Sequence, residues 1–262
     1  MIPKIIHYCW FGNNPKPKML KKCMSSWNKI CPEYRIIEWN ESNVDLTDMP
    51  QYVMDAYKAR KYAFVSDYVR LWIIYNNGGI YLDTDVELLK PLDDLLIYDG
   101  YFGFENQDNG KIASGLGFGA IKGLSILKEL MEIYDKLVFT DPDNQRTFLP
   151  NTQINWPIFE KHGVKIVDHC QIIDENVLIL PGDYLDPMTS YLRDEIKITK
   201  NTYSIHRYSM TWETNHEGKI KKMKKAKQVS RFKNYIKRII GEKLYYKIKE
   251  IKNKIICSNY DE

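Results

Sequence analysis

The feature that most restricts the fold of this chain is a long apolar segment that ends in two glycines and an acidic motif. Residues 65–77 carry apolar side chains on nearly every helical face, which is typical of a helix buried inside a domain. The glycine pair at 78–79 predicts the C-terminus of that helix. A short apolar strand over 80–82 then leads directly into Asp83-Thr84-Asp85. A buried helix followed at once by a buried strand predicts an α/β domain.

Acidic side chains alternate directly after this strand, at Asp83, Asp85 and Glu87. Ligands of open α/β sheets bind at the carboxyl ends of strands, so the position favours a functional site. Two carboxylates one residue apart suit a hard divalent cation, Mn²⁺ or Mg²⁺, which also binds substrate phosphates. A calcium-binding EF-hand loop is disfavoured, because its sixth position would be Leu88 instead of glycine. A solvated acidic turn remains the simpler alternative for this motif taken alone.

Two charges lie on the apolar helix itself. Asp67 and Arg70 are three residues apart and therefore share one helical face. Buried charges are rare unless they are paired or functional. We therefore expect either a structural ion pair or a polar site that holds hydroxyl groups of a ligand beside the acidic motif.

The rest of the chain alternates predicted strands and helices. The chain opens strand, loop, helix, strand, as a nucleotide-binding α/β fold does. Strands are predicted over residues 2–10, 34–39, 80–82, 101–105, 116–121, 164–167, 177–180 and 202–206, and helices over 16–30, 50–61, 65–77, 124–138 and 153–161. The glycine-rich run 115–119 is interpreted as a strand that passes close to a ligand, or as a strand with bulges. Kinases and dehydrogenases are disfavoured, because neither GxxxxGK[ST] nor GxGxxG follows the first strand.

The charge of the chain is divided unevenly. Residues 219–254 contain 15 lysines and arginines against two glutamates, whereas the whole chain has a net charge of only +4. Apolar residues recur through this segment at helical spacing. We predict a domain over 1–218 and a basic amphipathic helical tail over 219–262 that binds an anionic membrane surface. A solvated helical pair packed on the domain is the alternative, and nucleic-acid binding is disfavoured because no known module is present.

Targeting signals are not evident in the sequence. The N-terminal residues lack the pattern of a signal peptide, and no run of eighteen apolar residues predicts a membrane span. The five cysteines are scattered and form no CxxC pair, which favours a reducing compartment. The expected location is cytoplasmic, with peripheral contact to the inner face of the cell membrane.

Three segments together resemble glycosyltransferase family 32. Residues 66–70 with 78–85 are similar to its DXD signature, residues 2–12 to its opening strand, and residues 206–212 to its late His…Ser…Trp element. The matches fall in family order over residues 2–212. This family includes yeast mannosyltransferases, bacterial capsular-polysaccharide transferases and, more distantly, the glucosylating toxins of clostridia.

The resemblance implies a GT-A fold (a Rossmann-like α/β fold), a nucleoside-diphosphate-sugar donor and a divalent metal. It also implies retention of the anomeric configuration. By this resemblance Asp83, Asp85 and His206 bind the metal, and Asp67, Arg70, Asp83 and Asp85 carry the catalytic machinery. The donor-binding residues that it implies are Trp10, stacked on the base, Asp67, Arg70, Tyr81, Asp83, and the lid residues Ser209 and Trp212.

The function expected from these observations is transfer of a hexose to a saccharide or lipid-linked saccharide during synthesis of cell-surface polysaccharide. We expect a UDP-hexose as the donor. The alternative is a non-catalytic module that binds a cation or nucleotide and carries a membrane-seeking tail.

Overall fold

The computed structural model describes residues 1–106, 110–139, 150–174, 176–188 and 196–209. All of them belong to one compact unit, Met1–Trp212. The predicted tail over 219–262, and with it the C-terminal helical extension, lies outside the described residues, so the boundary at 218 stays a prediction.

Nine strands and six helices make up the described fold. The strands are β1 Ile5–Cys9, β2 Arg35–Trp39, β3 Gly79–Tyr81, β4 Val86–Leu88, β5 Gly100–Gly103, β6 Phe118–Ala120, β7 Gln171–Ile173, β8 Val177–Leu180 and β9 Ser204–His206. The helices are α1 Lys18–Ile30, α2 Gln51–Lys58, α3 Tyr62–Asn77, α4 Ser125–Tyr134, α5 Asn151–Lys161 and α6 Gly182–Leu185.

Seven strands form one mixed sheet in the order β2-β1-β3-β6-β5-β8-β7. The pairs β1–β2, β1–β3 and β5–β8 are parallel, whereas β6 is antiparallel to both β3 and β5. Five strands therefore point the same way, and their carboxyl ends share one edge of the sheet. A second, two-stranded sheet pairs β4 with β9 in antiparallel fashion.

Two hydrophobic clusters cover the two faces of the large sheet. Side chains alternate between faces along a strand, so neighbours in β3 and β5 enter different clusters. Tyr81 and Phe102 pack toward the cluster built with α2, α3, α4 and α5. Ile80 and Tyr101 pack toward the cluster that includes Trp27 of α1. The central strands are thus buried on both faces, as expected for an α/β domain.

The turn from α3 into β3 is held by a histidine of the neighbouring strand. Gly78 and Gly79 have positive φ angles of 68° and 109°. His7 Nε2 lies 3.0 Å from the Gly78 carbonyl oxygen, and Trp39 Nε1 donates to His7 Nδ1 at 2.9 Å. Since Nδ1 accepts, the proton of the neutral ring is on Nε2, which donates to Gly78. A Cβ at Gly79 would lie 2.8 Å from both His7 Nε2 and the Ile5 carbonyl oxygen. The glycine is therefore required by close approach as well as by its backbone angle.

The predicted strand over 164–167 is wrong. The backbone N–H and C=O of Lys165 both bond to the side-chain amide of Gln171, at 2.9 and 2.7 Å, in place of a neighbouring strand. The strand in this region is β7. The three-residue strand β4 and the single-turn helix α6 were not predicted, and most other elements are shorter than predicted by one to four residues at an end.

The predicted α/β architecture is confirmed for the described part of the chain, whereas its assignment to the GT-A type stays an expectation. A mixed sheet is covered on both faces, and the acidic motif follows β3 at the carboxyl edge. None of the described helices combines the length and apolar character that a membrane crossing requires.

Acid should destabilise the fold through His7. Burial, with a smaller contribution from the Arg35 charge, lowers the pKa of His7 from 6.5 to about 4, although its contact with Gly78 opposes the shift. The unfolded chain therefore binds more protons between these two values, and the free energy of unfolding falls as the pH drops from 6.5 to 4, by about 3 kcal/mol from this group. We expect His7→Gln to flatten the dependence in this interval when urea unfolding is followed by circular dichroism.

The matched control is His169→Gln at a surface position, since the His169 side chain is 70% exposed. It should keep the slope of the native protein. An equally steep slope in His7→Gln would contradict this account of His7.

Candidate active site

Charged side chains collect where β3 ends and β4 begins, at the shared carboxyl edge of the parallel strands. Asp83 and Asp85 lie in the connection between these two strands. Asp67 and Arg70 come from α3, which the Gly78–Gly79 turn joins to β3. His206 ends β9 and pairs in register with Val86 of β4. Three separate parts of the chain therefore contribute to one polar cluster.

Helix α3 contributes Asp67 and Arg70, and Arg70 makes most of the contacts in this part of the site. Its Nη2 lies 3.0 Å from Asp67 Oδ1 and 3.4 Å from Asp83 Oδ1, and its side chain is only 3% exposed. Its Nε donates to the Ser66 carbonyl oxygen at 2.9 Å, which fixes the guanidinium on its own helix. The guanidinium also lies over the ring of Tyr81, 5.0 Å from the centroid. The ion pair expected within α3 is present, and it extends to the acidic motif.

Three side chains at the other half of the site could hold a metal ion. Each of Asp83, Asp85 and His206 offers one ligand atom, and the three atoms lie within 4.8 Å of one another. His206 Nε2 is 3.1 Å from Asp85 Oδ1. The Asp83 side chain is 25% exposed, compared with 9% for Asp85, so Asp83 is the more accessible of the two carboxylates to a ligand.

The segment after β9 folds over Asp85. The Arg207 N–H donates to the Asp85 carbonyl oxygen at 2.9 Å, and the Ser209 N–H donates to Asp85 Oδ2 at 2.7 Å. The guanidinium of Arg207 pairs with Glu87. Glu87 is therefore engaged outside the group of possible metal ligands.

The pKa values of the two aspartates of the motif are shifted in opposite directions. Burial alone would raise the pKa of Asp85, but His206 and the Ser209 N–H outweigh it and lower that pKa well below its usual range. Burial raises the pKa of Asp83, and the Asp85 charge adds to the rise, while Arg70 opposes it. For His206, burial lowers the pKa, yet Asp85, Asp83 and Asp186 together raise it to about 9. At neutral pH the pair is thus an Asp85 carboxylate and a His206 imidazolium.

These residues fit a divalent cation. Two carboxylates and one imidazole form a ligand set suited to Mn²⁺ and related ions. Two negative side chains and one positive side chain leave local negative charge for a cation to compensate. The other ring nitrogen, His206 Nδ1, is buried and has no hydrogen-bond partner among the described residues. An imidazole with one nitrogen directed at two carboxylates and the other unused is suited to binding a metal.

Two further predicted donor residues, Trp10 and Tyr81, differ in position. Trp10 directly follows β1, and its side chain packs against the cluster that includes Trp27. The Trp10 indole N–H donates to the Asn14 carbonyl oxygen at 2.7 Å, and the ring is half-buried. Tyr81 is only 1% exposed, and its hydroxyl donates to Asp83 Oδ1 at 3.0 Å. Tyr81 thus orients Asp83, while its predicted place near the nucleotide stays a prediction. Trp212 lies outside the described residues.

Three further residues were not predicted. Asn151, at the start of α5, donates to Asp67 Oδ1 at 2.7 Å. Ser114 Oγ lies 3.3 Å from Arg70 Nη1. A Cβ at Gly115 would lie 2.6 Å from Asp83 Oδ2. The glycine-rich run 115–119 was the signal for this close approach, whereas no local pattern marks Asn151 or Ser114.

A second pair of acidic residues lies beyond His206. Burial and the Asp186 charge raise the pKa of Glu105 to about 7, against the opposing effect of His206. Asp186 follows α6 and is completely buried. Glu105 lies just after β5.

Comparison with known proteins places the motif in a family. Residues 17–101 match the model described as "Glycosyltransferase sugar-binding region containing DXD motif". Inositol phosphoceramide mannosyltransferase 3 of Schizosaccharomyces pombe is 35% identical over 107 residues, which are 38% of this chain and 29% of that protein. An uncharacterized glycosyltransferase of Acanthamoeba polyphaga mimivirus is 32% identical over 126 residues, 44% of this chain and 50% of the relative. The chain thus spans half or less of the length of these curated relatives.

Solved structures give more distant similarities. The PaToxG glycosyltransferase superposes with a TM-score of 0.47 at 16% identity, over 61% of this chain and 69% of that one. A glycosyltransferase involved in glycosylation of the major capsid of PBCV-1 gives a TM-score of 0.44 at 12% identity, over 80% and 95%. The family model, which matches residues 17–101, includes α3, β3 and the acidic motif. The segment that carries Asp67, Arg70, Asp83 and Asp85 therefore belongs to the family of glycosyltransferase sugar-binding regions that contain a DXD motif.

Proposed function

We propose that this chain is a metal-dependent glycosyltransferase that moves a hexose from a nucleoside-diphosphate sugar to a hydroxyl of a saccharide or lipid-linked saccharide. The observation that carries the proposal is the continuity of the site. Arg70 joins Asp67 to Asp83, and Asp83 belongs to the group of possible metal ligands with Asp85 and His206. A sugar and its diphosphate need such adjoining polar surfaces.

In this proposal α3 positions the sugar. Asp67 accepts from Asn151 and pairs with Arg70, which leaves carboxylate and amide groups to bind sugar hydroxyls. The pKa of Asp67 is raised to about 6 by burial, although Arg70 and Asn151 oppose the shift. Asp67 is therefore mostly ionised at neutral pH and accepts hydrogen bonds. Fixing the sugar in this way lowers the entropic cost of bringing its anomeric carbon to the acceptor.

The metal would be held by Asp83, Asp85 and His206. A divalent cation bound by these residues would supply positive charge to the diphosphate leaving group. The chain itself keeps the ligands in place, since Tyr81 donates to Asp83 and the Ser209 N–H donates to Asp85. In the proposal Trp10 stacks on the base, and Ser209 and Trp212 belong to a segment that closes over the diphosphate and excludes water.

We further propose that the reaction retains the anomeric configuration by attack on the face from which the diphosphate departs. This route requires no protein nucleophile. NMR of the first product distinguishes retention from inversion. For a glucoside or galactoside the anomeric proton coupling constant is measured, and for a mannoside the one-bond C–H coupling at the anomeric carbon is measured. The expected biological role is synthesis of a cell-surface polysaccharide.

The donor is tested by a direct screen. UDP-glucose and UDP-galactose come first, and GDP-mannose is included because the fission-yeast relative is named as a mannosyltransferase. Hydrolysis of each sugar nucleotide is measured with Mn²⁺, with Mg²⁺ and with chelator. The non-catalytic alternative predicts cation or nucleotide binding in this screen without any hydrolysis or transfer.

Removal of one carboxylate charge should abolish the reaction. Asp85→Asn keeps the shape of the side chain but removes the charge that faces His206. We expect at least about a thousandfold lower kcat/KM for the best donor, together with loss of the Mn²⁺ requirement, because several kcal/mol of electrostatic stabilisation are removed. Activity and Mn²⁺ affinity are measured at a temperature where circular dichroism shows the native fold.

The control is Asp93→Asn, which removes a carboxylate that pairs with Lys4 on the surface. It should behave as the native protein. Native transfer rates in Asp85→Asn would contradict the proposed metal site.

The position of Asp83 is tested from the side of Gly115. Gly115→Ala places a methyl group against Asp83 Oδ2 and 3.3 Å from Arg70 Nη1, so both side chains must shift. We expect about a hundredfold lower kcat/KM, which is the order of loss for a displacement of about 1 Å at a reacting centre.

Gly163→Ala serves as the control for general destabilisation. A Cβ there meets no atom within 4 Å, although the positive φ of 81° strains the backbone. Steady-state kinetics should show a loss only in Gly115→Ala, and equal losses in both variants would contradict the specific role of Gly115.

The basic tail is proposed to bind an anionic membrane surface, where a lipid-linked acceptor would be found. Each basic residue near such a surface contributes about 1 kcal/mol. We therefore expect replacement of Lys221, Lys222, Lys224 and Lys225 by Gln in the full chain to weaken co-sedimentation with phosphatidylserine vesicles by at least about tenfold. Vesicles of neutral lipid are the control. The proposal would be contradicted if the native chain and the variant bound equally well, and if each bound phosphatidylserine vesicles no better than neutral vesicles.

A further inference from the structure

Asp186 is a buried carboxylate outside the group of possible metal ligands. It caps the C-terminus of α6, where its N–H donates to the Gly182 carbonyl oxygen at 2.8 Å, and none of its surface is exposed. Burial of an ionisable group is unfavourable unless hydrogen bonds or charges compensate. Something in its surroundings must therefore account for a carboxylate at this position.

One oxygen of Asp186 holds the segment that follows β9. Asp186 Oδ2 accepts from the Tyr208 hydroxyl at 2.6 Å and from the Asn106 N–H at 3.1 Å. The ring of Tyr208 lies against the His206 imidazole, with 4.1 Å between centroids and 62° between planes. Asp186 thus fixes an aromatic side chain that packs directly on a possible metal ligand.

The backbone of Tyr208 is strained. Its φ is +44°, in the left-handed region that residues other than glycine rarely adopt. Tyr208 lies between His206 and Ser209, both of which contact Asp85. Strain of this kind persists only where surrounding contacts enforce it, and the bond to Asp186 is one such contact.

Two polar atoms of this cluster have no partner among the described residues, Asp186 Oδ1 and His206 Nδ1. One can accept a hydrogen bond and the other can donate one. His206 directs its other nitrogen, Nε2, at Asp85. A histidine that binds a metal through one nitrogen almost always donates from the other, often to a carboxylate, and this second bond fixes the tautomer and the ring orientation.

We infer that Asp186 is a positioning residue for His206, which holds the imidazole through Tyr208 and accepts from Nδ1–H through one water. The inference rests on the proposed function, because it assigns His206 to the metal. Asp186 does not itself touch the donor sugar or the metal. Its contribution is to hold Nδ1–H, so that Nε2 of His206 faces Asp83 and Asp85 and can bind the metal once the cation displaces its proton.

The test is the affinity of the full chain for Mn²⁺ alone, measured as loss of the free-ion signal in electron paramagnetic resonance. Asp186→Asn keeps the volume and one acceptor, but its neutral amide attracts Nδ1–H less strongly than a carboxylate does. We expect Mn²⁺ binding about 10–100-fold weaker, as for other residues that support a metal-bound histidine. Tyr208→Phe keeps the ring and removes only the hydroxyl, and it should also weaken binding.

Asp183→Asn is the matched control. It lies on the same short helix, but its side chain accepts from Thr199. It should bind Mn²⁺ as the native protein does. Native affinity in both Asp186→Asn and Tyr208→Phe would overturn the inference.

A spectroscopic measurement on the native protein does not depend on the folding of any variant. With Mg²⁺ bound, ¹⁵N NMR of the imidazoles should show His206 protonated at Nδ1 and unprotonated at Nε2. The opposite tautomer would overturn the inference. Loss of Mn²⁺ binding in Asp85→Asn but not in Asp186→Asn or Tyr208→Phe would overturn this inference alone. A native chain that binds no Mn²⁺ would overturn the proposed metal site as well.

Discussion

The buried guanidinium of Arg70 is the interaction on which the arrangement of the site depends. It joins the carboxylate of its own helix, Asp67, to the carboxylate that follows the next strand, Asp83. A guanidinium keeps its charge when buried and offers several donors in a fixed plane. A buried lysine loses its charge more easily, and its ammonium group has no such plane of donors. Burial alone would lower the pKa of Arg70, but Asp83, Tyr81 and Asp67 outweigh it and raise that pKa. The helix and the motif are thus coupled electrostatically as well as through the covalent turn.

Negative charge exceeds positive charge around this centre. Arg70 and His206 are the positive groups described here, and they face five carboxyl groups at positions 67, 83, 85, 105 and 186. The structure distributes these carboxyl groups unequally. Asp85 is held ionised by His206, whereas burial favours the protonated form of Glu105. Strongly shifted pKa values of this kind within one cleft cluster at functional sites.

The sequence predicted features that depend on a few neighbouring residues, and it missed contacts between residues far apart in the chain. The burial of α3, the turn at Gly78 and the Asp67–Arg70 pair follow from helical spacing over a few residues. Asn151, Ser114 and Asp186 reach the site through the order of strands in the sheet, which no spacing along the chain reveals. The three-residue strand β4 has too few residues to show a period of two. Conversely, three of the four residues 164–167 are β-branched and apolar, yet the Gln171 side chain satisfies the Lys165 backbone and a strand does not form.

Strand β6 divides the sheet into two blocks, because it runs antiparallel between β3 and β5. The family match ends at residue 101, within β5, so it covers β2 and β3 of the first block but not β1. Protein engineers could treat this boundary as a crossover point for chimeras. The half before the boundary would be kept, and the half after it would be exchanged between relatives. The later half must nevertheless return through β9 to β4, since within the described residues that return delivers the imidazole of His206 to the aspartates of the first half.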